Sequence, residues 1–346
     1  MARFPTRASL ACLNRTITII GGGLTGLSLA IALRKHSIPV QLHEAGSYPR
    51  HRVCGEFISG VSSETLETLG ISSALSDALT HQSVCWFSGD QKLRQTKLQI
   101  PALAISRFLL DQRLYDLAIA NGAAIHTQSR HTTDTDAPGT VRASGRIPSP
   151  GSWIGIKAHI KGLTTSANLE MHSGPIGYLG VTQVEDGWHN TCGLFRIDRS
   201  IKAKQADLLP AYLRKNGNHL LADQLQSASE WREDSFSAVA GFSLGNQPST
   251  PGTMCLGDSH AIIPPFTGNG MTMAFESAEI ALPHLMAYAA DQISWEKTCE
   301  LTDKHLHKHF RKRLTASRFI HPLLFHRASR HLLKHAPITP ILSLLR

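Results

Sequence analysis

The stretch Thr16-Ile17-Thr18-Ile19-Ile20, followed at once by Gly21-Gly22-Gly23-Leu24-Thr25-Gly26, constrains the fold more than any other part of the chain. The first five residues are rich in β-branched side chains and have the length of a strand, and those from Leu24 through Lys35 are helix formers. Each glycine answers a steric demand of a strand-turn-helix unit that holds a diphosphate. Gly21 permits the tight turn, Gly23 lets backbone approach the anion, and Gly26 lets helix and strand pack closely, with the diphosphate at the helix N-terminus. Ile38 to His43 reads as the next parallel strand and ends at Glu44, eighteen residues after Gly26, where an acid can accept hydrogen bonds from a ribose diol. The chain is therefore expected to be α/β and to open on a dinucleotide-binding βαβ unit.

At 346 residues with 42% hydrophobic and 18% charged content, the chain has room for one or two domains and a sizeable core. Ser62 and Ser63 before a short helical stretch, and Gly70 after it, are its cap and stop signals. Ser106 is the N-cap expected for a helix through Ala120, with Asn121-Gly122 at its end. Ala123 to Thr127 then reads as a strand, and Gln128 to Pro138 as a loop. After about Pro150 the periodicity changes to two. Trp153 to Ile160 puts Ile154, Ile156, Ala158 and Ile160 on one face and Gly155, Lys157 and His159 on the other. Gly177 to Val184 and Trp188 to Ile197 read as a hairpin through Glu185-Asp186-Gly187. A buried strand at Gly252 to Gly257, a helix from Gly270 to Ala290 and a helical pattern from Ser294 towards Ala336 follow.

Six scattered cysteines, Cys12, Cys54, Cys85, Cys192, Cys255 and Cys299, form no CxxC pair or His/Cys cluster at metal-ligand spacing. A reducing, cytoplasmic setting and no metal are expected. Arg, Lys or His interrupts every apolar stretch before it reaches the length that spans a bilayer. The first fifteen residues carry Arg3, Arg7 and Arg15 and no acid; a short extension before the first strand is favoured over a transit peptide. From Leu301 to Arg346 ten Lys or Arg stand against one acid, Asp303, so this tail carries +9, equal to the formal charge of the whole chain. Nucleic acid is disfavoured as a partner, because no aromatic-interleaved basic surface occurs elsewhere. Phe319, Ile320, Leu323, Leu324, Phe325, Leu332 and Leu333 among these cations fit either a helix packed on its own domain or an amphipathic helix resting peripherally on anionic lipid.

Further motifs occur in a fixed order: Arg52-Val53-Cys54-Gly55-Glu56, Arg107 with Leu110-Asp111 and Leu114, Ala143-Ser144-Gly145-Arg146, Gly257-Asp258, and Pro265-Phe266-Thr267-Gly268-Asn269-Gly270-Met271. From Thr16 to about Leu285 the chain resembles the FAD-dependent oxidoreductase superfamily of para-hydroxybenzoate hydroxylase and geranylgeranyl reductase, and is closer to the geranylgeranyl reductase branch. That resemblance implies a doubly wound, glutathione-reductase-like FAD-binding domain, discontinuous over 15–70, 101–150 and 251–290. It also implies an inserted antiparallel β-sheet substrate domain over 71–100 and 151–250, and a basic helical extension over 291–346. It assigns FAD contacts to Gly21, Gly23, Gly26, Glu44, Arg52, Arg107, Gly257, Asp258, Pro265, Gly268, Asn269, Gly270 and Met271. Asp258 would hydrogen-bond the ribityl chain, and the amides at Gly270 and Met271 would face the flavin pyrimidine, where a helix dipole stabilises the anionic reduced ring.

Two departures matter. Ser144 stands where the family has Asp, and His260 falls two residues after Asp258 rather than three, so no hydroxylase-type role is transferred to it. Cys54, Glu56 and His159 are the catalytic candidates, with Cys54 read either as a redox or substrate-side thiol or as a small packed residue. Lys157 and His159 line a cavity or form a solvated outer face. The tryptophans do not form the W-x-W-x-x-P motif of flavin halogenases. The expected activity is reduction or dehydrogenation of a hydrophobic isoprenoid-like or polyketide-like molecule by hydride transfer at flavin N5, with NAD(P)H or a reductase as electron donor and an apolar cavity above N5. The alternatives are a flavin monooxygenase hydroxylating an aromatic substrate, and a flavin-binding protein without turnover.

Overall fold

The computed structural model describes residues 15–131, 137–241 and 243–326. Cys12, the N-terminal extension before Arg15, part of the loop after Gln128 and the tail beyond His326 lie outside the described residues. The strands in chain order are β1 (Ile17–Ile20), β2 (Val40–His43), β3 (Phe57–Ile58), β4 (Leu79–Ser88), β5 (Gln91–Ala104), β6 (Ala124–His126), β7 (Thr140–Arg142), β8 (Trp153–Lys161), β9 (Leu169–Ser173), β10 (Gly177–Gln183), β11 (His189–Arg196), β12 (Glu230–Ala240), β13 (Gly245–Asn246), β14 (Met254–Cys255) and β15 (Ala261–Ile262). The helices are α1 (Leu24–Lys35), α2 (Ser63–Leu69), α3 (Arg107–Ala120), α4 (Leu208–Lys215), α5 (His219–Gln226), α6 (Gly270–Ala289) and α7 (Trp295–Ile320).

Five strands form a parallel sheet in the order β14-β7-β1-β2-β6. The chain leaves β1 through α1 to β2 on one side and later adds β7 on the other, so the strand order reverses between β1 and β7. In open α/β sheets ligands bind at such a switch point, beyond the carboxyl ends of the strands. Ile17, Ile19, Val40 and Leu42 are buried and join the core of α1, α3 and α6, whereas Thr18 is half-buried and Gln41 exposed. The helices that cover this sheet pack on one another, α1 against both α3 and α6.

The larger sheet has eight strands in the order β12-β8-β11-β10-β9-β4-β5-β3. The expected hairpin is present as β10 and β11, joined by a 3-10 turn at Glu185–Gly187. The sheet corrects the sequence reading in one respect: it is mixed, because β4 and β9 run parallel. β5 also extends to Ala104, and β3 pairs with it, so this sheet draws residues from both sides of the boundary expected near 100.

Serine caps stand where the sequence places them, with Ser62 Oγ accepting from Thr65 N at 3.0 Å and Ser106 Oγ accepting from Leu109 N at 3.1 Å. α7 begins at a third serine cap, Ser294. Its residues Thr298, Cys299, Thr302, Leu306, Phe310, Arg313 and Ser317 form a buried stripe at helical spacing, and it packs against α6. The described part of the basic helix therefore packs along one face on α6. Among the described residues no helix is long and apolar enough to cross a membrane.

Candidate active site

The turn after β1 behaves as its glycines require. Gly21 has φ of +108°, and a Cβ there would collide with the carbonyl oxygen of Ala143 at the end of β7. A Cβ on Gly26 would collide with the carbonyl oxygen of Gly21, so this position sets the helix-to-strand distance. Gly23 differs, because nothing lies within 4 Å of a Cβ placed there, and the space beside it is open. The same holds for Gly145 after β7 and Gly270 at the start of α6. Asp258, two residues beyond Leu256, is exposed, yet desolvation raises its carboxyl, with Arg107, Arg146 and Arg52 opposing the shift. An acid open to water but walled by protein lies in a cleft. Gly23, Gly145, Asp258 and Gly270 trace that cleft along the carboxyl ends of β1, β7 and β14.

Two helices open on the cleft, and neither α1 at Gly23 nor α6 at Asn269 has a side chain capping its first amides. Among the others, α2, α3 and α7 each carry a serine cap, while the short α4 and α5 also lack a side-chain cap. Free N–H groups at a helix start, facing open space, suit a diphosphate at α1 and an electron-rich ring at α6. Gly268 has φ of +68° and lies against the Phe57 ring, which seats the Pro265–Thr267 turn on β3.

Glu44 stands where expected at the end of β2, but it is already engaged. Its Oε2 accepts from Gly22 N and its Oε1 from Gly46 N, both at 2.8 Å, while Arg50 approaches Oε1 to 2.6 Å and Arg52 approaches Oε2 to 3.4 Å. Burial alone would raise this carboxyl, yet the Gly46 amide and the two guanidinium groups hold it below the usual range. Ribose hydroxyls must therefore compete with Arg50 and Arg52 for Glu44.

Arg52 and Arg107 are held by one acid that the sequence reading left without a role. Asp111 takes Arg107 in a two-point contact at 2.6 and 2.8 Å and Arg52 at 3.0 Å, and it is wholly buried. The i,i+4 spacing of Arg107 and Asp111 on α3 was the available signal. The Arg107 guanidinium also acts electrostatically on Cys54. Burial pushes the half-buried Cys54 thiol up, against the pull of Arg107, so at neutral pH it is a thiol and not a thiolate. Asn190 Nδ2 donates to the Cys54 carbonyl at 2.9 Å and fixes the segment to β11.

Glu56 lies at the centre of a buried group of ionisable side chains. Lys157 and His159 share a face of β8, as the alternation predicts, but that face is not solvated: Lys157 is 0% and His159 1% exposed. Both point at Glu56, itself 0% exposed, with Lys157 Nζ at 2.5 Å from Oε1 and His159 Nε2 at 2.5 Å from Oε2. The backbone N–H of Arg107, at the start of α3, donates to Oε1 at 2.8 Å. Burial would raise the Glu56 carboxyl, but Lys157 and then the His159 hydrogen bond bring it down to about 2. His51 completes the group, stacked on Phe108, and burial with the Lys157 and His159 charges lowers it to about 4. Glu56 holds a φ of +57°, a conformation non-glycine residues seldom adopt. The segment 52–56 therefore meets a buried ion cluster on one side.

Apolar surface begins one residue later. Phe57 and Phe266 pack with Val84, Trp86, Leu169, Met171, Tyr178 and Leu194 of the mixed sheet, and Tyr178 Oη accepts from Phe266 N at 3.3 Å.

Residues 16–83 match the family model described as pyridine nucleotide-disulphide oxidoreductase. Among solved structures the chain is similar to a flavin-dependent brominase, Bmp2, with TM-score 0.78 and 17% identity, covering 96% of this chain and 93% of that one. It is also similar to pqsL, a probable FAD-dependent monooxygenase from Pseudomonas aeruginosa, with TM-score 0.70 and 12% identity over 93% and 100% of the two chains. A geranylgeranyl bacteriochlorophyll reductase-like protein from Thermoplasma acidophilum matches with TM-score 0.69 and 16% identity over 93% and 91%. No curated protein sequence matches the chain. By fold the chain is like a class of flavin-dependent proteins. Within that class reductase, monooxygenase and halogenase folds are all alike, so the fold does not choose among the chemistries.

Proposed function

We propose that the protein is an FAD-dependent oxidoreductase that reduces or dehydrogenates a hydrophobic isoprenoid-like or polyketide-like small molecule. The observation that carries this reading is the course of the cleft. It runs past the open backbone at Gly23, Asp258 and Gly270 and, at the Pro265–Thr267 turn, meets the apolar cluster of Phe57, Phe266, Trp86, Met171, Tyr178 and Leu194. FAD held there would accept or deliver a hydride at its N5. The amides opening α1 would bind the diphosphate, Asp258 would hydrogen-bond the ribityl hydroxyls, and the uncapped start of α6 would stabilise negative charge on the ring. Cys54, a neutral thiol beside Arg107, would face the substrate, while Glu56 and His159, enclosed by protein, would position the 52–56 segment without touching substrate. NAD(P)H or a reductase would supply electrons. Exposed Phe319, at 74%, and Leu323 at the end of the basic helix would rest on anionic lipid, which sedimentation with anionic and with neutral vesicles tests; equal binding to both would rule this out.

Stoichiometric release of FAD on denaturing the purified protein tests the cofactor. The protein is then given polyprenyl and aromatic candidates anaerobically, with its flavin reduced to test reduction and oxidised to test dehydrogenation. A product altered by two hydrogens in the absence of oxygen is the expected result. Turnover only in air, with one oxygen atom in the product, would replace this reading with hydroxylation.

A further inference from the structure

His260, excluded from the cleft chemistry on its spacing, faces α7. Its Nδ1 lies 3.8 Å from Asp303 Oδ1, and His307 Nε2 lies 3.5 Å from the same oxygen. Both separations are too long for hydrogen bonds. They are close to the ligand-to-ligand distance of about 3.3 Å that follows when ligands at about 2.0–2.1 Å surround one ion tetrahedrally. One ligand atom from each of the three residues falls within 4.8 Å of the others. Asp303 and His307 are one turn apart on α7, whose packing against α6 fixes that face, and His260 is buried at the end of the Gly257–Ser259 turn, held by its N–H to Gly257 O at 2.9 Å. The two elements thus bring three candidate ligand atoms to within 4.8 Å of one another.

We propose that His260, Asp303 and His307 bind a divalent transition metal of the zinc type, with water in the fourth position, tying α7 to the loop that carries Asp258. Two imidazoles and a carboxylate are the donor set such a cation takes, and calcium or magnesium would require more oxygens. Metal ligation was not expected from the sequence, because the third ligand lies forty-three residues from the Asp303 pair. A second group with ligand atoms at comparable spacing, His51, Glu56 and His159, is unsuited, since the Lys157 ammonium already serves as the cation there.

The test uses the tag-free, flavin-loaded full chain after chelator treatment, titrated with zinc alone by calorimetry and with Co²⁺ by visible absorption. One equivalent should bind, with tetrahedral Co²⁺ bands. Asp303→Asn and His307→Gln, both at exposed positions that leave folding intact by circular dichroism, should each weaken binding about tenfold or more. His305→Gln serves as control, because His305 and His284, 2.9 Å apart on α7 and α6, form a histidine pair without a carboxylate. Unchanged affinity in Asp303→Asn, loss of binding in His305→Gln alone, or no binding at 100-fold excess zinc (a ratio on the order of that needed for a weak site) would each overturn the proposal.

Discussion

The cofactor cleft and the Glu56 cluster lie on either side of the segment 52–56 and are built on opposite principles. The cleft is made of backbone: Gly23, Gly145 and Gly270 have open space where a side chain would stand, and two helices leave their first amides free. The Glu56 cluster is made of side chains, with the buried Lys157 and His159 closed on one buried carboxylate and His51 beside Lys157. A surface that must admit a ligand keeps its polar groups unsatisfied until the ligand arrives. A surface that must fix a chain segment to a strand satisfies them internally, and its residues become expensive to change one at a time.

The sharpest test of that contrast is Glu56→Gln. It leaves the Lys157 ammonium buried beside a neutral amide, and removal of one partner from such a pair destabilises by about 3–5 kcal/mol. The double substitution Glu56→Leu with Lys157→Met should recover a large part of that loss, because no buried charge is then left unpaired. Urea unfolding measures both. A single variant as stable as wild type would mean that the cluster is not what joins segment 52–56 to β8.

Acid should act on the same cluster. The folded-state value of Glu56, about 2, lies below its ordinary 4.5, so its contribution is present above 4.5 and is lost as pH falls towards 2. His51, brought down from 6.5 to about 4, is kept neutral by folding, so the unfolded chain binds the extra proton and stability falls as pH drops from 6.5 towards 4. Both signs agree. Stability should decline continuously from pH 6.5 to pH 3, by on the order of 5 kcal/mol, and Glu56→Gln should flatten the lower half of that curve. A wild-type urea midpoint that holds steady over this range would contradict the assignment.

The cleft predicts a separation the cluster cannot show. Gly23→Val places its side chain in open space, so the fold should persist while FAD affinity falls about a hundredfold, roughly 2.8 kcal/mol. Gly26→Ala instead drives a methyl into the Gly21 carbonyl and should cost stability directly, by about 1–3 kcal/mol. Flavin content and thermal midpoint, measured on both variants, separate the two effects. If Gly23→Val keeps its flavin with unchanged affinity, the diphosphate does not lie where the open backbone suggests.

This difference also explains what the sequence discloses. The βαβ unit, the serine caps of α2 and α3, the β10–β11 hairpin and the glycine turn were all legible, because each depends on residues a few positions apart. Glu44 was placed correctly, but its engagement by Arg50 and Arg52 depends on how a loop folds back, and no local pattern records that. Lys157 and His159 were found on one face of β8, while the burial of that face depends on Glu56, about a hundred residues earlier. The β4–β9 parallel pair was missed for the same reason: periodicity of two marks a strand and is silent on its partner. Asp111 could have been found, since its spacing from Arg107 is one helical turn.

The smallest expected effect asks whether α3 belongs to the cleft or to the cluster. Ser106 caps α3 through Leu109 N, and its own N–H donates to Glu185 Oε2 at 2.9 Å, while the next N–H, that of Arg107, donates to Glu56. The helix start thus sits between the β10–β11 turn and the ion cluster, and Arg107 further reaches the thiol of Cys54. Ser62 makes the equivalent cap on α2, at 3.0 Å, without a bond to Arg107, Asp111 or Glu56. Ser106→Ala and Ser62→Ala should each cost about 1 kcal/mol of stability, since each frees one amide. Only Ser106→Ala should also change the flavin, because fraying the first turn of α3 loosens Arg107 and, through Asp111, Arg52. The readout is the flavin absorption spectrum and FAD affinity of the two variants at matched stability. A Ser106→Ala protein with wild-type affinity and spectrum would assign the start of α3 to the cluster alone and leave Arg107 without influence on the cofactor.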